Sequence, residues 1–249
     1  MGDRPVALVT GGSRGIGAAV AAAAAAAGYD VVVNFADREA AAKDVVARAQ
    51  AAGAAAIAVR ADVADEAAVL AMFAEVDRVF GRLGLLVNNA GIAGGYGTLD
   101  TVTAAAMDRL WAVNITGAFL CAREAAARMR TDRGGRGGSI VNVSSKAAVL
   151  GGSGEWVHYA ASKGALDTMT VGLSKELAPY GVRVNGVRPG LIESDFHDHA
   201  PEGRVERLRP TIPMLRSATT DEVAPAVLWL ASPAAGYVTG AFIDVAGGR

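Results

Sequence analysis

The sequence predicts an α/β protein in which helices cover both faces of a parallel β-sheet. Two patterns predict it. Short, almost wholly apolar runs alternate with longer helical stretches, and most of these runs are bounded by Gly or Asp. Strands that lie between two helical layers are buried on both faces, so they are expected to be apolar throughout. No stretch rich in Pro, Gly or Ser divides the chain, and we therefore expect a single three-layer domain over residues 1–249.

Seven runs have the character of strands, and six segments between them have the character of helices. The predicted strands are Val6–Val9, Val31–Asn34, Ala56–Arg60, Leu85–Asn88, Ser139–Val143, Val182–Val187 and Phe242–Val245. The predicted helices are Gly15–Ala27, Arg38–Ala52, Glu66–Phe80, Met107–Arg130, His158–Pro179 and Asp221–Ala231. The first helix is almost pure alanine over residues 18–27, which is too short for a membrane span of about 20 apolar residues. Alanine favours helix, and its small side chain predicts close packing on the sheet.

Composition argues against several classes of function. Of the 249 residues, 52% are hydrophobic and 20% are charged, which is enough apolar material for a large core. The net charge of −1 leaves no basic excess, so we expect no nucleic-acid binding. One Cys and three His argue against an internal disulfide and a metal site. The first residues lack the pattern of a signal peptide, so we expect a soluble cytoplasmic protein that does not bind membranes.

Two segments interrupt the alternation of strands and helices. Residues Thr131–Gly138 read as a flexible, charged surface loop, and the arginines around it as a solvated run. Residues Glu193–Pro213 form an insertion of mixed polarity before the last helix. Because an insertion after a late strand lies at the edge where open α/β sheets bind ligands, it is interpreted as a mobile substrate lid. A plain surface excursion remains the alternative.

A glycine-rich turn joins the first predicted strand to the alanine helix. Its glycines Gly11, Gly15 and Gly17 permit a tight turn and a close approach of the backbone to a phosphate. The helix that follows offers free N–H groups and a positive dipole end to the same phosphate. An ordinary tight loop is the alternative, but the position after the first strand favours a dinucleotide site. The turn reads Thr10-Gly11-Gly12-Ser13-Arg14-Gly15-Ile16-Gly17.

A tyrosine and a lysine lie four positions apart at the start of a later predicted helix. Tyr159 and Lys163 share one face of that helix, one turn apart. A nearby ammonium lowers the pKa of a tyrosine from its usual value of about 10, which would make the pair an acid or base toward a carbonyl or an alcohol. Ser144 and Ser145 follow the preceding strand, where a hydroxyl can hold a substrate oxygen. Taken separately, the pair can be incidental surface and the serines a helix cap.

Together these motifs resemble the short-chain dehydrogenase/reductase family in its single-domain form. The resemblance covers Pro5 to Gly248. It implies a Rossmann-type, doubly wound, seven-stranded parallel sheet of order 3-2-1-4-5-6-7. It also implies a nicotinamide cofactor across the carboxyl ends of the strands, and carbonyl–alcohol interconversion by hydride transfer. The motifs are the glycine turn, Asp62-Val63, Asn88-Asn89-Ala90-Gly91, Asn114, Ser145, Tyr159-x-x-x-Lys163 and Pro189-Gly190.

The resemblance also assigns roles to single residues. Tyr159 is expected to be the general acid/base, and Lys163 to lower the tyrosine pKa and bind the nicotinamide ribose. Ser145 is expected to hold the substrate carbonyl, and Asn114 a water that links Lys163 to solvent. Cofactor contacts are expected from the glycine turn through Gly11, Ser13, Arg14, Gly15, Ile16 and Gly17, and from Asp62, Val63, Asn89, Ala90, Gly91, Pro189, Gly190, Ile192 and Ser194.

The end of the second strand bears on the choice of cofactor. Members that prefer NAD place an acidic residue where Phe35 stands, to hold the ribose 2′-hydroxyl. Its absence, with Arg14 in the turn and Arg38 just beyond the strand, favours a 2′-phosphate and hence NADP(H). Asp37 argues the other way, so NAD(H) remains an alternative.

Substrate and assembly are less determined by the sequence. Ser145 and Tyr159 are one position further apart than in many members, and the extra residue falls in Gly151–Val157. This spacing favours an enzyme that acts on a sugar, polyol or other small carbonyl. The alternative is a 3-oxoacyl-(acyl-carrier-protein) reductase, and arginines 204, 207 and 209 would then supply a basic patch for the carrier protein. A non-catalytic dinucleotide sensor is the alternative of a different class. Trp156 is a packing or substrate residue, His158 an exposed helix-start residue, and a homotetramer is expected, with a dimer next.

Overall fold

A computed structural model describes residues 4–197 and 200–249, and its centre is one seven-stranded parallel sheet. The strand order is β3-β2-β1-β4-β5-β6-β7, which confirms the predicted order. The strands are β1 (Val6–Val9), β2 (Asp30–Phe35), β3 (Ala56–Arg60), β4 (Leu85–Asn88), β5 (Gly138–Val143), β6 (Val182–Pro189) and β7 (Phe242–Val245).

Nine α-helices connect these strands in the described residues. They are α1 (Gly15–Ala26), α2 (Glu39–Ala51), α3 (Glu66–Phe80), α4 (Ala104–Trp111), α5 (Gly117–Met129), α6 (Ala147–Leu150), α7 (Val157–Leu177), α8 (Arg204–Leu208) and α9 (Ala224–Ala231). None of them combines the length and the apolar character that crossing a membrane requires.

Alternate residues of the strands build two separate cores, one on each face of the sheet. Ala7 and Val9 of β1 face the layer of α1, α2 and α9. Val6 and Leu8 face the layer of α3, α5 and α7. Strand side chains alternate between the two faces, so most positions of the inner strands are apolar. The three-layer arrangement predicted from the apolar runs is therefore confirmed.

The predicted helix Met107–Arg130 corresponds to one helical run that begins at Ala104 and continues through α4 and α5 to Met129. α4 and α5 are joined by a π-helical turn over Ala112–Thr116. The last predicted helix, Asp221–Ala231, is divided, because a 3-10 turn at Thr220–Glu222 precedes α9. Pro225 lies in the first turn of α9. A proline there has no N–H to continue a helix from the preceding turn, so α9 begins close to it.

The charged segment after α5 is more ordered than predicted. Thr131–Arg133 forms a 3-10 turn. Arg128 bonds Asp77 and lies 5.0 Å from the centre of the Phe73 ring. Arg130 lies 3.7 Å from the Tyr180 ring centre. The long aliphatic stems of these arginines pack on the fold, so the expected fully solvated run is wrong at both positions.

Candidate active site

The glycine-rich turn lies at the carboxyl end of β1 and opens directly into α1. Gly11 and Gly15 have φ of +59° and +54°, a region that glycine adopts without strain. Gly17 is packed more tightly: a Cβ there would lie 2.4 Å from the Gly11 carbonyl oxygen and 2.5 Å from Asn89 Nδ2. The turn therefore presents bare backbone and the N-terminus of α1 to the cavity, as an anion site requires.

The loop after β4 fixes the shape of this turn. Asn89 Nδ2 donates to the carbonyl oxygens of Thr10 at 2.9 Å and Gly11 at 3.1 Å. The Thr10 hydroxyl accepts from the backbone N–H groups of Asn89 and Ala90, both at 3.0 Å. Thr10 was not among the predicted site residues, although its place directly before the glycines is visible in the sequence. Two neighbouring strand ends are thus joined through one buried hydroxyl.

The end of β2 and the loop after β3 form the far end of the same cavity. The Asn34 side chain accepts from the Gly11 N–H at 3.1 Å, which ties β2 to the glycine turn. Phe35 is buried there, and Asp62 and Val63 line the cavity wall beside it. Asp62 also pairs with Arg109 of α4 at 2.8 Å, a contact across 47 positions that no local pattern shows.

Tyr159 and Ser145 lie together at the carboxyl end of β5. Tyr159 is in the first turn of α7 and is buried. Burial raises its pKa to about 12, and a hydrogen bond with the Ser145 hydroxyl partly opposes this rise. Ser144 instead points away, with its hydroxyl on the Lys163 carbonyl oxygen at 3.2 Å. The geometry therefore places Ser145 beside the tyrosine, as the sequence-based choice between the two serines expects.

Lys163 is buried one turn further along α7. Its Nζ donates to the Val143 carbonyl oxygen at 2.9 Å and lies 5.8 Å from the centre of the Tyr159 ring. Burial lowers its pKa to about 8, and Asp167 partly opposes this shift. The predicted net lowering of the tyrosine pKa is wrong for this structure, because the loss of hydration outweighs the other influences on the phenol.

Asn114 lies in the π-helical turn, behind the lysine. Its Oδ1 accepts from the Ile92 N–H at 2.9 Å, while its Nδ2 donates to the Ile92 carbonyl and to Ser162 Oγ. A Cβ on Gly91 would lie 3.4 Å from both Asn114 Oδ1 and Lys163 Nζ, so the two side chains flank this glycine. π-turns often mark functional sites, and this one directs the asparagine toward α7.

All but two of the predicted site residues line one cavity of about 500 Å³ at the carboxyl edge of the sheet. The exceptions are Gly17, which supports the turn from beneath, and Asn114, which lies behind Lys163. The loop after β6 forms the near wall, where Ile192 bridges to Ala218. The cavity is lined by Gly11, Ser13, Arg14, Gly15, Ile16, Phe35, Arg38, Asp62, Val63, Asn89, Ala90, Gly91, Ser145, Tyr159, Lys163, Pro189, Gly190, Ile192 and Ser194.

Comparison with known proteins assigns the family. A family model described as enoyl-(acyl carrier protein) reductase matches residues 11–249. An uncharacterized oxidoreductase of Escherichia coli is 51% identical over 245 residues, which cover 98% of this chain and 99% of the relative. A crystal structure of a short-chain dehydrogenase from Burkholderia cenocepacia in complex with NADP has a TM-score of 0.91 and 36% identity, and covers 98% of this chain and 97% of its own. The chain belongs to the short-chain dehydrogenase/reductase family.

A further relative shows how broad this family is. A 3-oxoacyl-(acyl-carrier-protein) reductase of Staphylococcus aureus is 38% identical over 246 residues, which cover 97% of this chain and 96% of the relative. The match to short-chain dehydrogenases/reductases establishes an oxidoreductase, while the substrate differs between members. Membership of the family therefore does not identify the substrate of this chain.

Aromatic rings pack around Tyr159 at one end of the cavity. The Trp156 ring centre lies 5.5 Å from that of Tyr96, 5.7 Å from that of Phe196 and 6.2 Å from that of Tyr159. The Phe196 ring is 5.4 Å from the Tyr159 ring. Trp156 therefore packs within the site, and its neighbours form an apolar wall beside the phenolic hydroxyl.

A buried ion pair closes this wall from the insertion. Arg204 of α8 donates to Glu155 from Nε at 3.1 Å and from Nη2 at 2.5 Å, and its guanidinium lies 4.2 Å from the Trp156 ring centre. Its side chain is only 8% exposed. Arg204 therefore does not contribute to an exposed basic patch, because its charge is neutralised inside the cavity wall. That part of the sequence-based alternative is wrong.

His158 is also placed differently from the expectation. It is buried in the first turn of α7, with Nε2 3.2 Å from the Gly94 carbonyl oxygen. A Cβ on Gly94 would lie 3.2 Å from the His158 ring, so the glycine loop packs directly over it. The expected exposure of His158 is wrong because this loop, 64 positions earlier in the chain, covers it.

Proposed function

We propose that this protein is an NADP(H)-dependent oxidoreductase that interconverts a carbonyl compound and a secondary alcohol. One observation carries the proposal. Tyr159, hydrogen-bonded to Ser145 and followed by the buried Lys163, lines the same cavity as the glycine turn at the N-terminus of α1. An acid/base group thus lies beside a dinucleotide cradle, which is the arrangement that hydride transfer to a carbonyl requires.

The residues present fit a phosphorylated dinucleotide. A Cβ on Gly17 would collide with the Gly11 carbonyl, so the bare turn is a requirement of the fold as well as a cradle for the pyrophosphate. Arg14 and Arg38 lie at the far end of the cavity, where Phe35 replaces an acid. Two guanidinium groups suit a 2′-phosphate, which supports NADP(H), with NAD(H) as the weaker alternative. The bound nicotinamide supplies or accepts the hydride.

The chain's own part is to hold the substrate oxygen and move a proton. Ser145 and Tyr159 donate hydrogen bonds to the carbonyl oxygen, and Tyr159 gives it a proton during reduction. Lys163 then returns a proton toward the tyrosine, and Asn114 is placed to hold the water that links Lys163 to solvent. A phenol with a pKa near 12 keeps its proton at neutral pH, which favours the role of acid in carbonyl reduction.

The walls of the cavity favour a compact, uncharged substrate. The rings of Trp156 and Phe196 offer apolar surface, and the Arg204–Glu155 pair adds polar groups without net charge. A sugar, a polyol or another small carbonyl compound fits these walls. A 3-oxoacyl-(acyl-carrier-protein) reductase is the second candidate, because a relative of that activity is 38% identical and arginines 207 and 209 of the insertion are exposed.

The remaining expectations belong to the same proposal. Residues 193–213, of which 198 and 199 lie outside the described residues, act as the substrate lid, and the position of α8 against Trp156 supports this role. A cytoplasmic location, without nucleic-acid or membrane partners, stays an expectation from the sequence. A homotetramer, with a dimer next, is supported by exposed apolar side chains on neighbouring helices. They are Trp111 of α4, Phe119 of α5, Val149 and Leu150 of α6, and Val157 and Val171 of α7.

The test is nicotinamide absorbance with purified protein, with NADPH and NADH in parallel. The panel holds sugars, diketones, quinones and 3-oxoacyl thioesters, and the Ser145→Ala protein measures the background. We expect NADPH-dependent turnover of one class, reduced by about 100-fold or more in Ser145→Ala. Arg14→Ala and Arg38→Ala should weaken NADPH more than NADH. Equal losses for the two cofactors would reject the 2′-phosphate assignment, and equal rates in Ser145→Ala would reject the site.

A further inference from the structure

A carboxylate from the insertion forms ion pairs with the two arginines at the far end of the cavity. Asp195 Oδ2 forms ion pairs with Arg14 of the glycine turn and with Arg38 before α2, the latter at 3.0 Å. The Asp195 side chain is 30% exposed, and those of Arg14 and Arg38 are 45% and 57% exposed. One negative group therefore bridges cations that come from two different strand ends.

The backbone next to this carboxylate lies directly over the glycine turn. A Cβ on Gly15 would lie 3.9 Å from Ser194 Cβ. Glu193 anchors the segment on its other side, since its N–H donates to the Ala218 carbonyl and its carboxylate accepts from the Ser217 hydroxyl at 2.5 Å. The segment that carries Asp195 is thus anchored beside Glu193. Asp195 contacts the arginines inside the groove that the adenosine half of the cofactor would occupy.

We infer that Asp195 competes with the 2′-phosphate of NADP(H) for Arg14 and Arg38, and thereby sets the discrimination between NADP(H) and NAD(H). This inference rests on the proposed cofactor site. A phosphate monoester carries up to two negative charges and three acceptor oxygens, so it binds a pair of guanidinium groups more strongly than one carboxylate. A 2′-hydroxyl has no such charge and leaves the Asp195 pairs intact. Asp195 therefore weakens NADP(H) binding selectively.

The exchange has a consequence for the substrate pocket. The residue after Asp195 is Phe196, which packs on Trp156 and on the acid/base Tyr159. Release of Asp195 by a 2′-phosphate frees the backbone that carries this ring, whereas NAD(H) leaves it tied to the arginines. The insertion is held independently at α8 by Arg204 and Glu155, so the release is local to the cofactor end. The type of cofactor bound thus determines how firmly one wall of the substrate site is held.

The experiment compares wild type with Asp195→Asn by calorimetric titration of adenosine 2′,5′-bisphosphate and of adenosine 5′-monophosphate. The variant keeps the shape of the side chain and removes its charge. We expect it to bind the bisphosphate about three- to tenfold more tightly, since each exposed ion pair that is lost is worth less than a factor of ten. Binding of the monophosphate should stay within about twofold, because it does not need the arginines. Glu206→Gln, an exposed acid on α8, is the matched control and should change neither affinity.

Each outcome bears on the inference separately from the proposed function. Weaker binding of the bisphosphate by Asp195→Asn would mean that Asp195 positions the arginines rather than competing, and would overturn the inference. Equal affinities in the two proteins would also overturn it. If the wild type bound the bisphosphate no better than the monophosphate, the NADP(H) assignment itself would fail.

Hydrogen exchange gives a second readout that does not depend on affinity. In the wild type, the bisphosphate should increase amide exchange in peptides that end near Phe196, whereas the monophosphate should not. In Asp195→Asn these amides should exchange faster before any ligand is added. Unchanged exchange in both proteins would overturn the proposed release of the segment.

Discussion

Replacement of Gly17 by alanine tests whether the glycine turn is shaped by close packing. In the middle of an ordinary helix, Gly→Ala stabilises by about 1 kcal/mol. Here the new Cβ would meet the Gly11 carbonyl oxygen at 2.4 Å and Asn89 Nδ2 at 2.5 Å. Such overpacking costs about 1–3 kcal/mol, because one neighbour is backbone and the other is an amide held by two hydrogen bonds. Displacing Asn89 also strains its two bonds to the turn, each worth about 1 kcal/mol.

The sum of these effects is a loss of about 2–4 kcal/mol in the free energy of unfolding of Gly17→Ala. Gly164 of α7 provides the matched control, since a Cβ there meets no atom within 4 Å. Gly164→Ala should be neutral or stabilising by up to about 1 kcal/mol. Urea unfolding followed by tryptophan fluorescence measures both. If the two variants had the same free energy of unfolding within about 0.5 kcal/mol, close packing beneath the turn would not be what requires glycine.

Three further predictions concern charged and ionisable groups. The rate of carbonyl reduction should be independent of pH below about 8 and fall above it, because Lys163, with a pKa of about 8, then loses its proton. Lys163→Arg should be slower, but its pH–rate profile should show no such fall. Glu155→Gln removes the charge that pairs with the buried Arg204 and should cost about 1–3 kcal/mol in the free energy of unfolding measured with urea. Glu75→Gln, in an exposed pair, should cost much less, and equal costs would contradict the stabilising role of the buried pair. Burial raises the pKa of the Cys121 thiol to about 12, so it should react with a disulfide reagent only after unfolding, and rapid reaction of the native protein would show the thiol to be accessible.

Much of the fold could be predicted because it rests on local patterns. The apolar run Val6–Val9 occupies β1 with the predicted bounds, since all four residues are buried between the two helical layers, which favours apolar side chains. The π-helical turn at Ala112–Thr116 could not be predicted, because the residues on both sides of it favour helix and nothing local marks the change of hydrogen bonding. The 3-10 turn before α9, by contrast, follows from Pro225, a signal that the sequence does contain.

The candidate site likewise contains features that the sequence predicts and features that it does not. Tyr159 and Lys163 could be found because they share one turn of one helix. The contact of Asp195 with Arg38 joins residues 157 positions apart, and the pairing of Arg204 with Glu155 joins residues 49 positions apart. Such contacts depend on how the insertion folds back over the sheet. The raised pKa of Tyr159 likewise depends on burial, which a neighbouring lysine in the sequence does not reveal.

The most direct measurement is the turnover of Tyr159→Phe together with its affinity for NADPH. The variant removes one hydroxyl group from a buried ring and leaves the glycine turn and the arginines unchanged. If Tyr159 protonates the substrate oxygen, carbonyl reduction should fall by at least about 100-fold while the dissociation constant for NADPH changes by less than about threefold. Retention of most of the wild-type turnover, with NADPH bound, would contradict the assignment of Tyr159 as the acid of this oxidoreductase.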